Sequence, residues 1–191
     1  MTALREEFAR EVAGIDPARL VFHDESGCTT SMTRPFARAP SGERAEGSVP
    51  GGNWKVTTVL GAVRLDGVVA GATLDGATDG AGFVAYARDV LAPALRPGDV
   101  VVMDNLSSHK VAGVREAVEA AGAKLLYLPP YSPDYSPIEN CWSKFKKRLR
   151  DAAARTAEDL GRAIADAFAA ITHADLLNCF RHCGYLPRPL Q

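Results

Sequence analysis

The run Asp99-Val-Val-Val-Met-Asp104 places four consecutive apolar residues between two aspartates. A strand with one solvated face alternates apolar and polar residues. A strand without alternation is buried on both faces, as parallel strands covered by helices are. This segment therefore demands helical layers from the rest of the chain. Residues 79–95 have helical apolar spacing at Phe83, Tyr86, Val90 and Leu91, and Pro97-Gly98 stops them just before the strand. Residues 111–121 read as a helix, and Lys124-Leu-Leu-Tyr-Leu-Pro129 as a second strand. Pro137 opens another helix, and residues 156–171 form an amphipathic one started by Thr156-x-x-Asp159.

Towards the N-terminus the signals change. Residues 4–12 read as a helix with Leu4, Phe8 and Val12 on one face, closed by Gly14 and Asp16-Pro17. The strand LVFHDES follows. Residues 53–76 hold two β-branched runs joined by Asp66-Gly67, a strong hairpin signal, with Trp54 expected to pack at the hairpin start. The Gly/Pro/Ser-rich stretch between them, RAPSGERAEGSVPGGN, reads as a mobile loop. Helix, strand, hairpin, then alternating helices and strands make a single α/β domain: a mixed sheet with an antiparallel hairpin and flanking helices. With 191 residues and 47% hydrophobic composition, such a domain has material for a core.

A net charge of −1 neither demands nor forbids a polyanionic partner, so only local clusters speak to that question. No apolar run reaches the length of a membrane span and the N-terminus lacks a signal-peptide pattern, so a soluble, cytoplasmic protein is expected. Cys28, Cys141, Cys179 and Cys183 lack paired zinc-site spacings, which fits a reducing compartment. Cys179, His182 and Cys183 do cluster, but i, i+3, i+4 spacing is also an ordinary helix face.

Asp24 follows the apolar run LVFH, and Asp104 follows VVVM. If those strands are parallel, both carboxylates lie on the sheet edge where α/β proteins bind ligands. Glu139 falls in the first turn of a helix, where the dipole favours the ionised form. Three converging carboxylates are costly unless hard divalent cations neutralise them, and two Mg²⁺ or Mn²⁺ ions can drive in-line phosphoryl displacement. On the Glu139 helix follow Lys144, Lys146, Lys147, Arg148 and Arg150. Lys146 and Arg150, about two and three turns beyond Glu139, share its side and are placed to hold DNA phosphates without reading sequence. The plainer alternatives stand beside these: strand-end aspartates as turn formers, and KFKKRLR as a solvated helix face.

The carboxylates are separated by 79 and then 34 residues. In wording and order, HDES, VVMDNLSSHK and LPPYSPDYSPIENCWSKFK closely resemble the catalytic blocks of DDE transposases of the mariner-like superfamily and its bacterial insertion-sequence relatives. The resemblance runs from Asp24 to about Tyr185. It implies an RNase H-like domain over residues 19–186, with residues 1–18 as a helical lead-in and 187–191 as a tail. It further implies two Mg²⁺ ions, replaceable by Mn²⁺, held by Asp24, Asp104 and Glu139, cleavage of double-stranded DNA at transposon ends, and joining of the freed 3′-hydroxyl to target DNA. Asn105, His109 and Asn140 become motif companions, supporting the ligands or touching DNA. Lys144, Lys146, Lys147 and Arg150 become DNA contacts, and a homodimer is expected in the DNA complex.

Glu25 points to the face of its strand opposite Asp24 and reads as structural or supporting. Tyr131 and Tyr135 either stack on unpaired bases or, the reading favoured here, pack the loop that aims Glu139. Trp142 reads as core. The chain departs from the family pattern in having only about twenty residues before Asp24, with no basic recognition helix among them. A separate helix-turn-helix half, a truncated copy or a standalone catalytic unit would each account for this. A plain RNase H-like nuclease, and an inactive fragment that binds DNA or dimerises as an inhibitor, are the competing functions.

Overall fold

The computed structural model describes residues 2–52 and 55–187. Trp54 and the last four residues of the expected tail lie outside them. Five strands form one sheet in the order β3-β2-β1-β4-β5: β1 Leu20–Cys28, β2 Thr57–Arg64, β3 Gly67–Asp75, β4 Val100–Met103 and β5 Lys124–Tyr127. β1 pairs antiparallel with β2 and parallel with β4, β2 and β3 form the expected hairpin, and β4 pairs parallel with β5. This is the mixed sheet the sequence calls for, and all four residues of β4 are buried.

Helices cover both faces. α1 (Thr2–Ala13), α5 (Pro137–Ala152), α6 (Ala157–Ala169) and α7 (His173–His182) pack on one side, around Phe22, Trp142, Phe145, Leu160 and Phe180. α2 (Gly80–Tyr86), a π-helical turn (Ala87–Leu91), the short α3 (Ala92–Ala94) and α4 (Val114–Ala120) pack on the other, around Phe83, Leu91, Val101 and Val118. Pro93 accounts for the break in the α2–α3 segment, since its ring lacks an N–H and crowds the carbonyl four residues back.

Two boundaries differ from the sequence reading. Leu4 is half exposed, so only Phe8 and Val12 of the α1 stripe reach the core. α4 starts at Val114 rather than 111, because Ser107–Lys110 coil into a single 3₁₀ turn and Gly113, at φ +102°, redirects the chain.

α5 positions the site. Pro137 occupies its first turn with Ser136 as cap residue, and the buried stripe Ile138, Cys141, Trp142, Phe145 and Leu149 seats it on the sheet. Glu139 lies just off that stripe and is exposed. Ala153, at φ +47°, ends the helix.

Candidate active site

β1 and β4 are in parallel register through Phe22↔Val102, which brings Asp24 and Asp104 level at the same sheet edge. Asp24 is not at the end of its strand, as expected from sequence. β1 runs on to Cys28 because β2 continues to pair with it after β4 has stopped. Asp24, Asp104 and Glu139 then line one cleft of about 470 Å³, with Asn105 and the Leu128–Pro133 segment on its walls. The three carboxylates proposed from spacing therefore line one cleft.

Their electrostatics differ. Burial, then the charge of Glu139, raises the Asp24 carboxyl to about 7, against the Glu25 amide and the Trp142 indole, which favour the ion. Burial also opposes ionisation of Asp104, but His109, the Leu106 amide and His23 hold it below the usual carboxylate range. Such a concentration of hard oxygen donors fits divalent cations of the Mg²⁺ or Mn²⁺ type, whose charge would offset the repulsion.

Two of the carboxylates, Asp24 and Asp104, have a device that aims them. Trp142 Nε1 donates to Asp24 Oδ2 at 2.7 Å. Reading Trp142 as core was half of its role, since it is also 5% exposed and packed on Phe145 and Phe168. Its position depends on Gly61, the residue paired with Asp24 across β1 and β2. A Cβ on Gly61 would sit 2.7 Å from the indole ring. The Leu106 amide bonds Asp104 Oδ1 at 3.0 Å. His109 Nδ1 lies 2.6 Å from the same oxygen, off the N–H direction, so the contact is charge-to-charge. Asn105 turns away and donates to the Leu128 carbonyl, tying the loop after β4 to the loop after β5.

His109 is fully buried, and burial opposes its protonation, but Asp104 and then Glu25 raise it to about 9. Glu25 does face away from Asp24, and its Oε1 lies 3.6 Å from His109 Nε2. His23, which sequence reading passed over, shares that face of β1, and its Nδ1 is 3.3 Å from the Tyr86 hydroxyl. Strand alternation from Glu25 was the signal that could have found it.

Other candidates are placed elsewhere. Asn140 directs its amide to Cys183 Sγ at 3.5 Å, away from the cleft. Tyr135 packs on Phe8 and under Arg5, as the packing reading expects. Tyr131 does not pack: at φ +54° it is turned out, 89% exposed, at the rim of the acidic cleft. Among the described residues the grouping of three metal-ligand side chains is His23, Glu25 and His109, and Cys179 instead lies against Cys141, Sγ to Sγ 3.6 Å.

The basic run on α5 is divided. Lys144 is paired with Asp175 of α7, and Lys147 with Asp151, which also takes Arg34. Lys144, Lys147 and Arg148 border a groove between α5 and α6. Lys146 and Arg150 lie on the Cys28 side, where their charges oppose the burial that pushes that thiol up to about 11.

Residues 19–161 match the family model described as DDE superfamily endonuclease. The chain belongs to that family. Among curated proteins the sequence finds no match. Solved structures do resemble this DDE endonuclease. A Mos1 transposase paired-end complex with left transposon end aligns with TM-score 0.76 and 18% identity, over 95% of this chain and 57% of that one. A Mos1 mariner paired-end complex with Mn gives TM-score 0.74 and 19% identity, over 95% and 57%. The isolated catalytic domain of Mos1 mariner transposase gives 0.60 and 18%, over 98% and 93%. At these identities the likeness establishes the fold, RNase H-like as the sequence motifs imply. The endonuclease spans 57% of the first of these Mos1 chains.

Proposed function

We propose that this DDE endonuclease is a transposase catalytic domain that cuts double-stranded DNA at transposon ends and joins the freed 3′-hydroxyl to target DNA. The observation that carries this reading is the meeting of Asp24, Asp104 and Glu139, from β1, the β4 end and α5, in one cleft. Those three side chains would hold two divalent cations, Mg²⁺ or Mn²⁺. Bound there, the ions would supply Lewis acidity for activating a water or hydroxyl nucleophile and for stabilising the leaving oxygen.

The protein's own groups do the rest. Trp142 fixes the Asp24 carboxylate through its indole N–H, and the Leu106 amide and His109 fix Asp104. Lys146 and Arg150 hold flanking phosphates on the side facing the β1 end, giving affinity and register rather than sequence preference. Exposed Tyr131 at the cleft rim is placed to stack on a base unpaired near the cut. The wider assembly we propose is a homodimer on paired DNA ends, in a bacterial cytoplasm, with end recognition supplied by a helix-turn-helix half. Among the described residues no helix is long and apolar enough to cross a membrane.

The test is a strand-transfer assay with pre-cut 3′-hydroxyl ends and a supercoiled target, in Mg²⁺ and in Mn²⁺. Recombinant product that vanishes in Asp24→Asn supports the reading. Metal-dependent hydrolysis without joining would leave a plain nuclease. A folded protein that binds DNA but neither cuts nor joins in either metal would leave an inhibitory fragment.

A further inference from the structure

On the opposite face of β1 from Asp24 lies a second group of donors. Strand alternation sends His23 and Glu25 to that face, and the 3₁₀ turn Ser107–Lys110 brings His109 against them. One ligand-type atom from each residue lies within 4.8 Å of the other two. His23 is 1% exposed and His109 0%. His23 Nε2, Glu25 Oε1 and His109 Nε2 are buried without an aligned hydrogen-bond partner, while His109 Nδ1 is taken up by Asp104. Buried polar groups are ordinarily paired, and leaving several unpaired at one spot costs about 1–3 kcal/mol each.

From this geometry we infer a cation site formed by His23, Glu25 and His109, which backs onto the carboxylate trio through the His109–Asp104 contact and is suited to a borderline divalent ion of the Zn²⁺ class. Two imidazoles and one carboxylate are the donor set such ions take, whereas Mg²⁺ prefers the all-oxygen trio. Ligand atoms about 2.1 Å from a tetrahedral ion stand roughly 3.4 Å apart. The 3.6 Å between His109 Nε2 and Glu25 Oε1 is already close to that. Protons on both His109 nitrogens, one towards Asp104 and one towards Glu25, would still not satisfy His23 Nε2. An ion at the centre reaches all three residues.

The site also has an entrance. Glu25 lines an open cleft of about 480 Å³ with Thr58, Thr78, Asp79, Ser107 and Ser108, so an ion can arrive from solvent and keep a position for water. Its role is structural. The ion ties β1 to the turn that follows Asp104, fixing the loop that carries a carboxylate of the other site. His23 is itself anchored, by the Tyr86 hydroxyl and by ring contact with Phe83.

The test uses the full chain with the carboxylate trio weakened by Asp24→Asn and Glu139→Gln, leaving Asp104 in place beside His109. Zn²⁺ or Co²⁺ is added, excess is dialysed away, and retained metal, the Co²⁺ absorption spectrum and the Tm are measured. One equivalent retained, with nitrogen-ligand Co²⁺ bands and a raised Tm, is expected. Adding Glu25→Gln should weaken retention tenfold or more. Glu25 is 19% exposed and Gln is nearly isosteric, so this variant is chosen to keep its metal-free Tm even if His23 or His109 variants unfold. No retained ion in the trio-weakened protein would overturn the site. So would retention unaffected by Glu25→Gln but abolished by Cys141→Ser with Cys179→Ser, which would place the ion at the thiols.

Discussion

β4 carries an aspartate at each end, and the two ends treat it in opposite ways. At the start, Asp99 is fully buried, and Arg64 of β2, 2% exposed, donates to it at 2.6 Å while the Arg96 amide adds a bond at 2.8 Å. At the far end, Asp104 is 40% exposed and shares a cleft with Asp24 and Glu139. One end is neutralised from within the chain and closed. The other gathers like charges beside His109, and the rest of its balance has to come from outside. A buried, paired charge fixes structure. An unpaired cluster is where a fold holds a cost that ligand binding can relieve.

The largest expected effect tests the open end. Asp104→Asn should take metal-dependent DNA cleavage to background while urea denaturation shows a folded domain; activity at the wild-type rate would remove Asp104 from the site. At the closed end, Asp99→Asn should leave buried Arg64 with only the half-exposed Asp66, 3.8 Å away, as counter-charge and cost about 3 kcal/mol of unfolding free energy. A loss below about 1 kcal/mol would mean that solvent reaches Arg64 and that the two ends are less different than their burial indicates.

Smaller effects sharpen the contrast. Trp142→Phe keeps most of the packing but removes the donor to Asp24, so Mn²⁺ affinity measured by calorimetry should fall about 10–100-fold. Replacing Lys146 and Arg150 together by Ala should reduce the salt-dependence slope of DNA binding by roughly two, whereas the paired Lys144 and Lys147 should contribute less. An equal change from both pairs would return α5 to an undivided basic face.

The smallest effect concerns Asp175, whose carboxyl Lys144 and then Thr172 pull down to about 2. Because the folded value lies below the unfolded one, this stability is present above about pH 4 and is lost as pH falls towards 2. Both side chains are about one-third exposed, so Asp175→Asn should cost under about 1 kcal/mol at pH 7 and nothing measurable near pH 2.

What the sequence disclosed follows the range of the interactions. The Asp66-Gly67 hairpin, the unbroken apolar β4 and the Pro137 helix start are local signals, and each is where it was expected. The trio was legible because strand ends and helix starts are positions a sequence marks, and because the motif wording was specific. The aiming devices were not. Trp142 meets Asp24 across 118 residues, and Arg64 meets Asp99 across 35. Nothing near Lys144 announces that Asp175, on another helix, will occupy it. Tyr131 was misjudged because its outward turn comes from a left-handed backbone at a non-glycine residue, which residue type disfavours.

The indole of Trp142 has a further consequence. A tryptophan whose N–H is bound to a carboxylate senses whether that carboxylate is protonated, free or drawn towards a cation, and its emission shifts accordingly. The chain has two tryptophans, so Trp54→Phe would leave Trp142 as the sole indole emitter. The protein thus carries its own optical label on Asp24, able to report occupancy of the acidic cleft in real time, before any DNA is cut.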